Sequence, residues 1–138
     1  MRSCPVPGDQ DDGMVKLYRK IVTFMEGQSP YLDPDFGLEE LSRGVLTNKS
    51  YVSRTINIMS GRNLCAFINY YRIKYACSLI DGNPNLKVME IAMMSGFNTV
   101  VSFNSAFKTF IRETPREYIN KVREKKRPNL SNPKEQGR

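Results

Sequence analysis

The sequence predicts an all-α chain: two helix-turn-helix subdomains joined by a long linker helix, about seven helices in all. Three observations carry this. Apolar residues recur at spacings of three and four along most of the chain, and no segment alternates apolar and polar residues over a strand's length. Clusters of Pro, Gly, Asn and Asp interrupt the periodic stretches. At 138 residues the chain has the size of one ordinary domain.

The first helix is expected over Met14 to Met25, where Val15, Tyr18, Ile21, Val22 and Met25 repeat along one stripe and Lys16, Arg19 and Lys20 lie opposite. Gln28 to Gly37 contains Pro30, Pro34 and two aspartates and reads as a connector. A short helix follows from Leu38 to Val45, with Gly44 and the Thr47-Asn48 pair ending it. Asn48 is placed to cap the next helix, Lys49 to Met59, whose buried side is expected to hold Val52, Ile56 and Met59. Leu64 to Ile80 carries a broad apolar band, from Phe67 and Ile68 through Tyr71, Tyr75 and Ala76 to Leu79 and Ile80, and the run Asp81 to Asn85 breaks it. Val88 to Met94 is a second short helix. Asn98 or Thr99 then caps a strongly amphipathic one with the stripe Phe103, Ala106, Phe107 and Phe110. Pro115 suits the first turn of a last helix that packs through Tyr118, Ile119 and Val122.

Several function classes are disfavoured at once. The chain has no histidine, and so lacks the usual general base and the commonest transition-metal ligand. No glycine-rich loop follows a strand, and Cys4, Cys65 and Cys77 do not have zinc-ligand spacing, so neither enzyme, metal nor cofactor is expected. Cys65 and Cys77, inside an apolar helical pattern, are expected as buried thiols. No stretch approaches the roughly 20 apolar residues of a membrane span, and the start resembles no secretory signal, which points to a cytoplasmic protein without membrane insertion. The formal charge of +7 favours a polyanionic partner.

An internal duplication gives that charge a purpose. Leu38-Glu39-Glu40-Leu41-Ser42 aligns with Val88-Met89-Glu90-Ile91-Ala92, and Val52 and Ile56 align with Phe103 and Phe107 after a one-residue insertion. Each copy reads as short helix, tight turn, longer helix, the layout in which the second helix lies in the major groove of DNA. In the first copy Ser50, Ser53, Arg54 and Asn57 form one polar stripe with Lys49 at its amino end. Arg and Asn suit the edges of guanine and adenine, and Lys suits a phosphate. The second copy presents Thr99, Val101, Ser102, Ser105 and Lys108 opposite its phenylalanines, with Val100 and Asn104 at the margins. With no arginine on that stripe, thymine-methyl and phosphate contacts are expected there, and less base selectivity. The linker helix, about 25 Å long at 1.5 Å per residue, is of the size needed to hold two reading helices in successive grooves about 34 Å apart. A helical protein-interaction module without direct DNA binding is the alternative.

These residues resemble the DNA-binding domain of the bacterial AraC/XylS family of transcription regulators, over roughly Val15 to Val122. The resemblance rests on Glu90-Ile91-Ala92, Ser95-Gly96-Phe97, Phe103, Phe107-Lys108 and Thr114-Pro115 with Tyr118, and in the first half on Tyr51, Ser53-Arg54, Gly61, Tyr71-Arg72-Ile73 and Ala76. Ile56-Asn57 stands where that family commonly has Phe-Lys, Ser105 where it has an arginine, and Arg112 where it has a glycine. The resemblance implies a double helix-turn-helix domain over 14–125, with a first unit at 38–61, a linker helix at 64–81 and a second unit at 87–112. A leader at 1–13 and a basic tail at 126–138 are expected to be disordered. It further implies double-stranded promoter DNA and RNA polymerase as partners, and either a stand-alone regulator or the carboxyl-terminal part of a longer one.

Overall fold

A computed structural model of the protein describes residues 8–126. Among them are seven α-helices: α1 (Gly8–Gln28), α2 (Leu38–Gly44), α3 (Lys49–Ser60), α4 (Leu64–Gly82), α5 (Val88–Met94), α6 (Val100–Ile111) and α7 (Pro115–Lys126). A single 3-10 turn, Pro30–Leu32, interrupts the connector after α1, and no strand occurs among the described residues. The described residues are therefore all-helical, as the periodicity predicts. α1 starts ahead of Met14, because no proline follows Pro7 until Pro30 and nothing else stops a helix there. The expected leader is corrected to that extent; residues 1–7, and the tail beyond Lys126, lie outside the described residues.

The chain divides into two compact units, with the boundary between Arg72 and Ile73 inside α4. The first unit holds α1, α2, α3 and the first part of α4. Its core is made by Leu17, Ile21 and Met25 of α1, Leu41 of α2, Val52 and Ile56 of α3, and Phe67, Ile68 and Tyr71 of α4. Tyr31 stacks on Tyr71 with ring centroids 5.5 Å apart, and Phe67 meets Tyr71 edge-on at 5.3 Å. Burial pushes the Tyr71 phenol up to about 12, and the Glu26 charge adds to the shift. Two expectations fail here. Met59 is exposed in the last turn of α3, and Thr55 completes the buried stripe in its place. Cys65 is exposed and Cys77 only half-buried, because Cys65 falls beside the stripe that Phe67, Ile68 and Tyr71 make, not on it.

The second unit repeats the plan with the end of α4, α5, α6 and α7. Its core joins Ile73, Ala76 and Ile80 to Ile91, Ala92, Phe97, Phe103, Ala106, Phe107, Ile119 and Val122. Phe97, Phe103, Phe107 and Tyr118 form a chain of edge-on rings with centroids 5.4–5.6 Å apart. Full burial of a phenylalanine contributes about 1.5–3 kcal/mol, so Phe103 and Phe107, both at 0 % exposure, are principal anchors of α6.

The duplication extends further than the two short helices. Glu40 and Glu90 each accept from the backbone N–H at the start of their own helix, Gly37 at 3.0 Å and Lys87 at 2.9 Å. Past each short helix, Thr47 N donates to Ser42 O at 3.1 Å and Phe97 N to Ala92 O at 3.0 Å, around a left-handed residue: Leu46 (φ 62°) in one copy, Gly96 (φ 92°) in the other. α3 and α6 likewise both end on a left-handed residue, Gly61 (φ 73°) and Arg112 (φ 70°). Asn63 then caps α4 and Thr114 caps α7. Finally, Arg72 of α4 donates to the carbonyls of Tyr31 and Asp33 in the connector before α2, at 2.7 and 3.0 Å. Arg123 of α7 donates to the carbonyl of Pro84 in the connector before α5, at 3.0 Å.

Gly44, the last residue of α2, is required by a close approach: a Cβ there would lie 2.5 Å from Phe24 Cζ. Lys20 of α1 donates to Val45 O at 3.1 Å and helps fasten the same corner. We expect Gly44→Ala to destabilise the protein by about 1–3 kcal/mol, despite alanine's better helix propensity, and Phe24→Leu to restore part of the loss; denaturant titration of the single and double variants measures both. Leu46→Gly is expected to stabilise by about 1 kcal/mol, since it relieves a left-handed leucine, and the same titration checks it.

Candidate nucleic-acid interface

Both second helices turn one face inward and leave the other in solvent. In α3 the buried residues are Val52, Thr55 and Ile56; in α6 they are Phe103, Ala106 and Phe107. With about 3.6 residues per turn, residues on the opposite side must face outward. Lys49, Ser50, Arg54 and Asn57 are exposed and Ser53 is partly so; Thr99, Val101, Ser102, Ser105 and Lys108 are all exposed. Val101 is 78 % exposed.

In the first unit the structure brings the sequence-predicted residues together. Lys49, Ser50, Ser53, Arg54 and Asn57 line one open groove of ≈ 500 Å³, with Leu38 of α2 completing its wall. Asn48 Oδ1 accepts from Tyr51 N at 2.9 Å and so sets the entry of α3. The Arg54 guanidinium lies 6.0 Å from the centre of the Tyr51 ring, a cation–π placement that restrains it at the surface. Asn57 donates its Nδ2 to Ser53 O at 3.0 Å, so part of its hydrogen-bonding capacity is turned back on its own helix.

In the second unit Thr99 has a local task. Its Oγ1 accepts from Ser102 N and donates to Ser102 Oγ, both at 3.0 Å, making it the cap of α6. Beside α6 runs a groove of ≈ 380 Å³ whose walls include Val88, Val100, Asn104, Lys108 and Arg116. It continues past Val88, Val100 and Arg116 into a second hollow of ≈ 560 Å³ that reaches Lys87. The sequence reading placed Val100 and Asn104 at the margins and did not single out Lys87 or Arg116. The signal that reveals them is the duplication itself once it is carried back to the starts of α2 and α5 and forward into α4 and α7.

Among the described residues no group of three or more His, Cys, Asp or Glu side chains could hold a metal ion, and no helix is long and apolar enough to cross a membrane. Thr99→Ala is expected to cost about 1 kcal/mol of stability in the free protein, read by thermal denaturation; an unchanged midpoint would leave Thr99 with no capping role.

A family model described as a helix-turn-helix domain matches residues 41–121. An uncharacterized HTH-type transcriptional regulator of Staphylococcus aureus strain COL is 32% identical over 84 residues, which is 61% of this chain and 11% of that protein. The chain thus spans about a tenth of the length of the curated relatives it matches. Among solved structures, the carboxyl-terminal domain of the response regulator AraT from Geobacillus stearothermophilus is similar with a TM-score of 0.64 and 24% identity, over 76% of this chain and 84% of that one. The carboxyl-terminal domain of the two-component response regulator yesN from Fusobacterium nucleatum has a TM-score of 0.61 and 25% identity, over 78% and 98%. The DNA-binding domain of the global transcriptional factor AdpA, solved in complex with a target DNA, has a TM-score of 0.67 and 18% identity, over 80% and 95%. The chain belongs to the AraC/XylS family of helix-turn-helix transcription regulators, and what it corresponds to is that family's DNA-binding domain.

Proposed function

We propose that the chain binds double-stranded promoter DNA in a sequence-specific manner, with α3 and α6 entering successive major grooves, and that it controls transcription by contacting or excluding RNA polymerase in the bacterial cytoplasm. The observation that carries this is the shared disposition of α3 and α6: buried stripe on one side, polar and basic residues at the surface on the other. The net charge of +7 fits the same partner. The regulators and the AdpA domain to which the chain is similar lend it further support. In this reading Arg54 and Asn57 read base edges, Lys49, Ser50 and Ser53 fix α3 against the backbone, and Val101 meets a thymine methyl. Thr99, Ser102 and Lys108 give α6 mainly phosphate contacts, and Ser105 faces the base edges beside Val101. The protein acts as a binder and not as a catalyst.

A helical protein-interaction module is the second reading, and one observation favours it: Met89, Met93 and Met94 of α5 are exposed at 61, 51 and 47 %. Adaptable thioethers on a surface are the kind of side chain that promiscuous protein interfaces use.

Selection of bound fragments from a random duplex library tests the main reading. Recovery of a consensus, with affinity that falls steeply as salt is added, is the expected result; no affinity for any duplex at low salt sinks the reading in favour of the module. With the consensus in hand, Arg54→Ala is expected to lose about 1–3 kcal/mol on the selected site and to relax preference at one position. Equal losses on every sequence, measured by fluorescence anisotropy, would deny Arg54 a part in base reading.

A further inference from the structure

The two copies share a backbone plan but distribute their positive charge differently. Aligning the caps Asn48 with Thr99 and Gly61 with Arg112 puts Lys49 against Val100 and Arg54 against Ser105. Two cations of the first reading helix are thus absent from the second. At the start of the preceding helix the opposite holds, because Gly37 is matched by Lys87. The same is true just past the reading helix, where Asn63 and Thr114 are equivalent caps and Cys65 is matched by Arg116. Within α6 one cation is gained, Lys108 against Asn57, so the second unit carries its positive charge near the end of that helix and on the walls of the groove beside it.

We propose that Lys87 and Arg116, with Lys108 on the flank of α6, form a sequence-indifferent clamp for the sugar-phosphate backbone of the same duplex. The second unit is then an electrostatic anchor and the first unit carries most of the reading. The inference rests on the DNA-binding reading above and assigns that site two residues outside its recognition helices.

The geometry favours phosphates over bases. A helix seated in a major groove directs its outermost residues at base edges, and the phosphates lie along its flanks. Val101 and Ser105 occupy the outer line of α6, whereas Val100, Asn104 and Lys108, four residues apart, form one flank. That flank borders the groove of ≈ 380 Å³, and the groove continues past Arg116 to Lys87. Lys87, Lys108 and Arg116 are all exposed. The two nearby carboxylates keep their charge but are turned onto backbone donors at the starts of their own helices. Glu90 accepts from Lys87 N at 2.9 Å, and Glu117 accepts from Thr114 N at 2.9 Å. That backbone hydrogen bond holds the Glu117 carboxyl below its ordinary range, with Lys108 adding to the effect. The polar edge contributed by Asn104 and Thr114 suits phosphate oxygens as well.

The test uses the full chain and two duplexes, the selected consensus and a scrambled one, with affinity followed by anisotropy from low to moderate salt. Arg116→Ala and Lys87→Ala are expected to weaken both duplexes by the same factor, each making the slope of log K against log salt shallower by about 0.9, the value for one phosphate contact. The double variant is expected to lose about twice that slope. Arg116→Lys, which keeps the charge, is expected to retain the slope. Lys125→Ala removes a charge outside the groove and is expected to leave it unchanged; circular dichroism confirms that each variant is folded. An unchanged slope in the folded double variant, a loss confined to the consensus, or an equal effect from Lys125→Ala overturns the clamp. Those outcomes leave DNA binding by the wild-type chain standing. Failure of the wild type to bind either duplex at low salt overturns the DNA-binding reading and the clamp with it.

Discussion

The structure depends on the inward anchoring of two twelve-residue helices. α3 and α6 are short, and isolated helices of such length are marginal in water. They persist because each sinks a stripe into a core, Val52, Thr55 and Ile56 in one unit and Phe103, Ala106 and Phe107 in the other. Once that stripe is fixed, helical geometry leaves no freedom in what the outer face shows. Everything functional on these helices is a consequence of where their apolar residues are.

Around this constraint the chain uses the same devices twice. Each short helix is started by a glutamate three residues into it, ended by a left-handed residue, and followed by a side-chain cap on the next helix. These devices are local and inexpensive, and they leave the exposed positions free to diverge. On α2 the solvent side carries an ion pair between Glu39 and Arg43 at 2.9 Å. The corresponding positions on α5 are Met89 and Met93. The two units thus combine equal backbones with unequal surfaces.

Much of this was legible in the sequence for a physical reason. Helices with a clear stripe and a capping residue announce their own limits, so α5 runs over the residues its pattern indicates and α2 differs by its last residue alone. The outward placement of Lys49, Arg54, Val101 and Ser105 follows from the same stripes. Periodicity is blind where several neighbours share the burial. Cys65 looks apolar in context and is exposed, while Thr55 looks polar and is fully buried. The start of α1 carries no stripe to mark it. The grooves were harder still, because their walls come from side chains distant in sequence: Leu38 beside α3, Lys87 and Arg116 beside α6. Composition cannot pair such residues.

The arginines that hold the connectors are chemically well chosen. Arg72 reaches two backbone carbonyls from a half-buried position, and burial pulls its guanidinium below its ordinary range, opposed by the nearby Asp33 carboxylate. A lysine in such surroundings is prone to give up its proton, whereas a guanidinium starts so far above neutrality that it keeps its donors. The loop before α2 is therefore latched by a fastener that acidity and alkalinity within a cell do not release, and Arg123 gives the loop before α5 a catch of the same make.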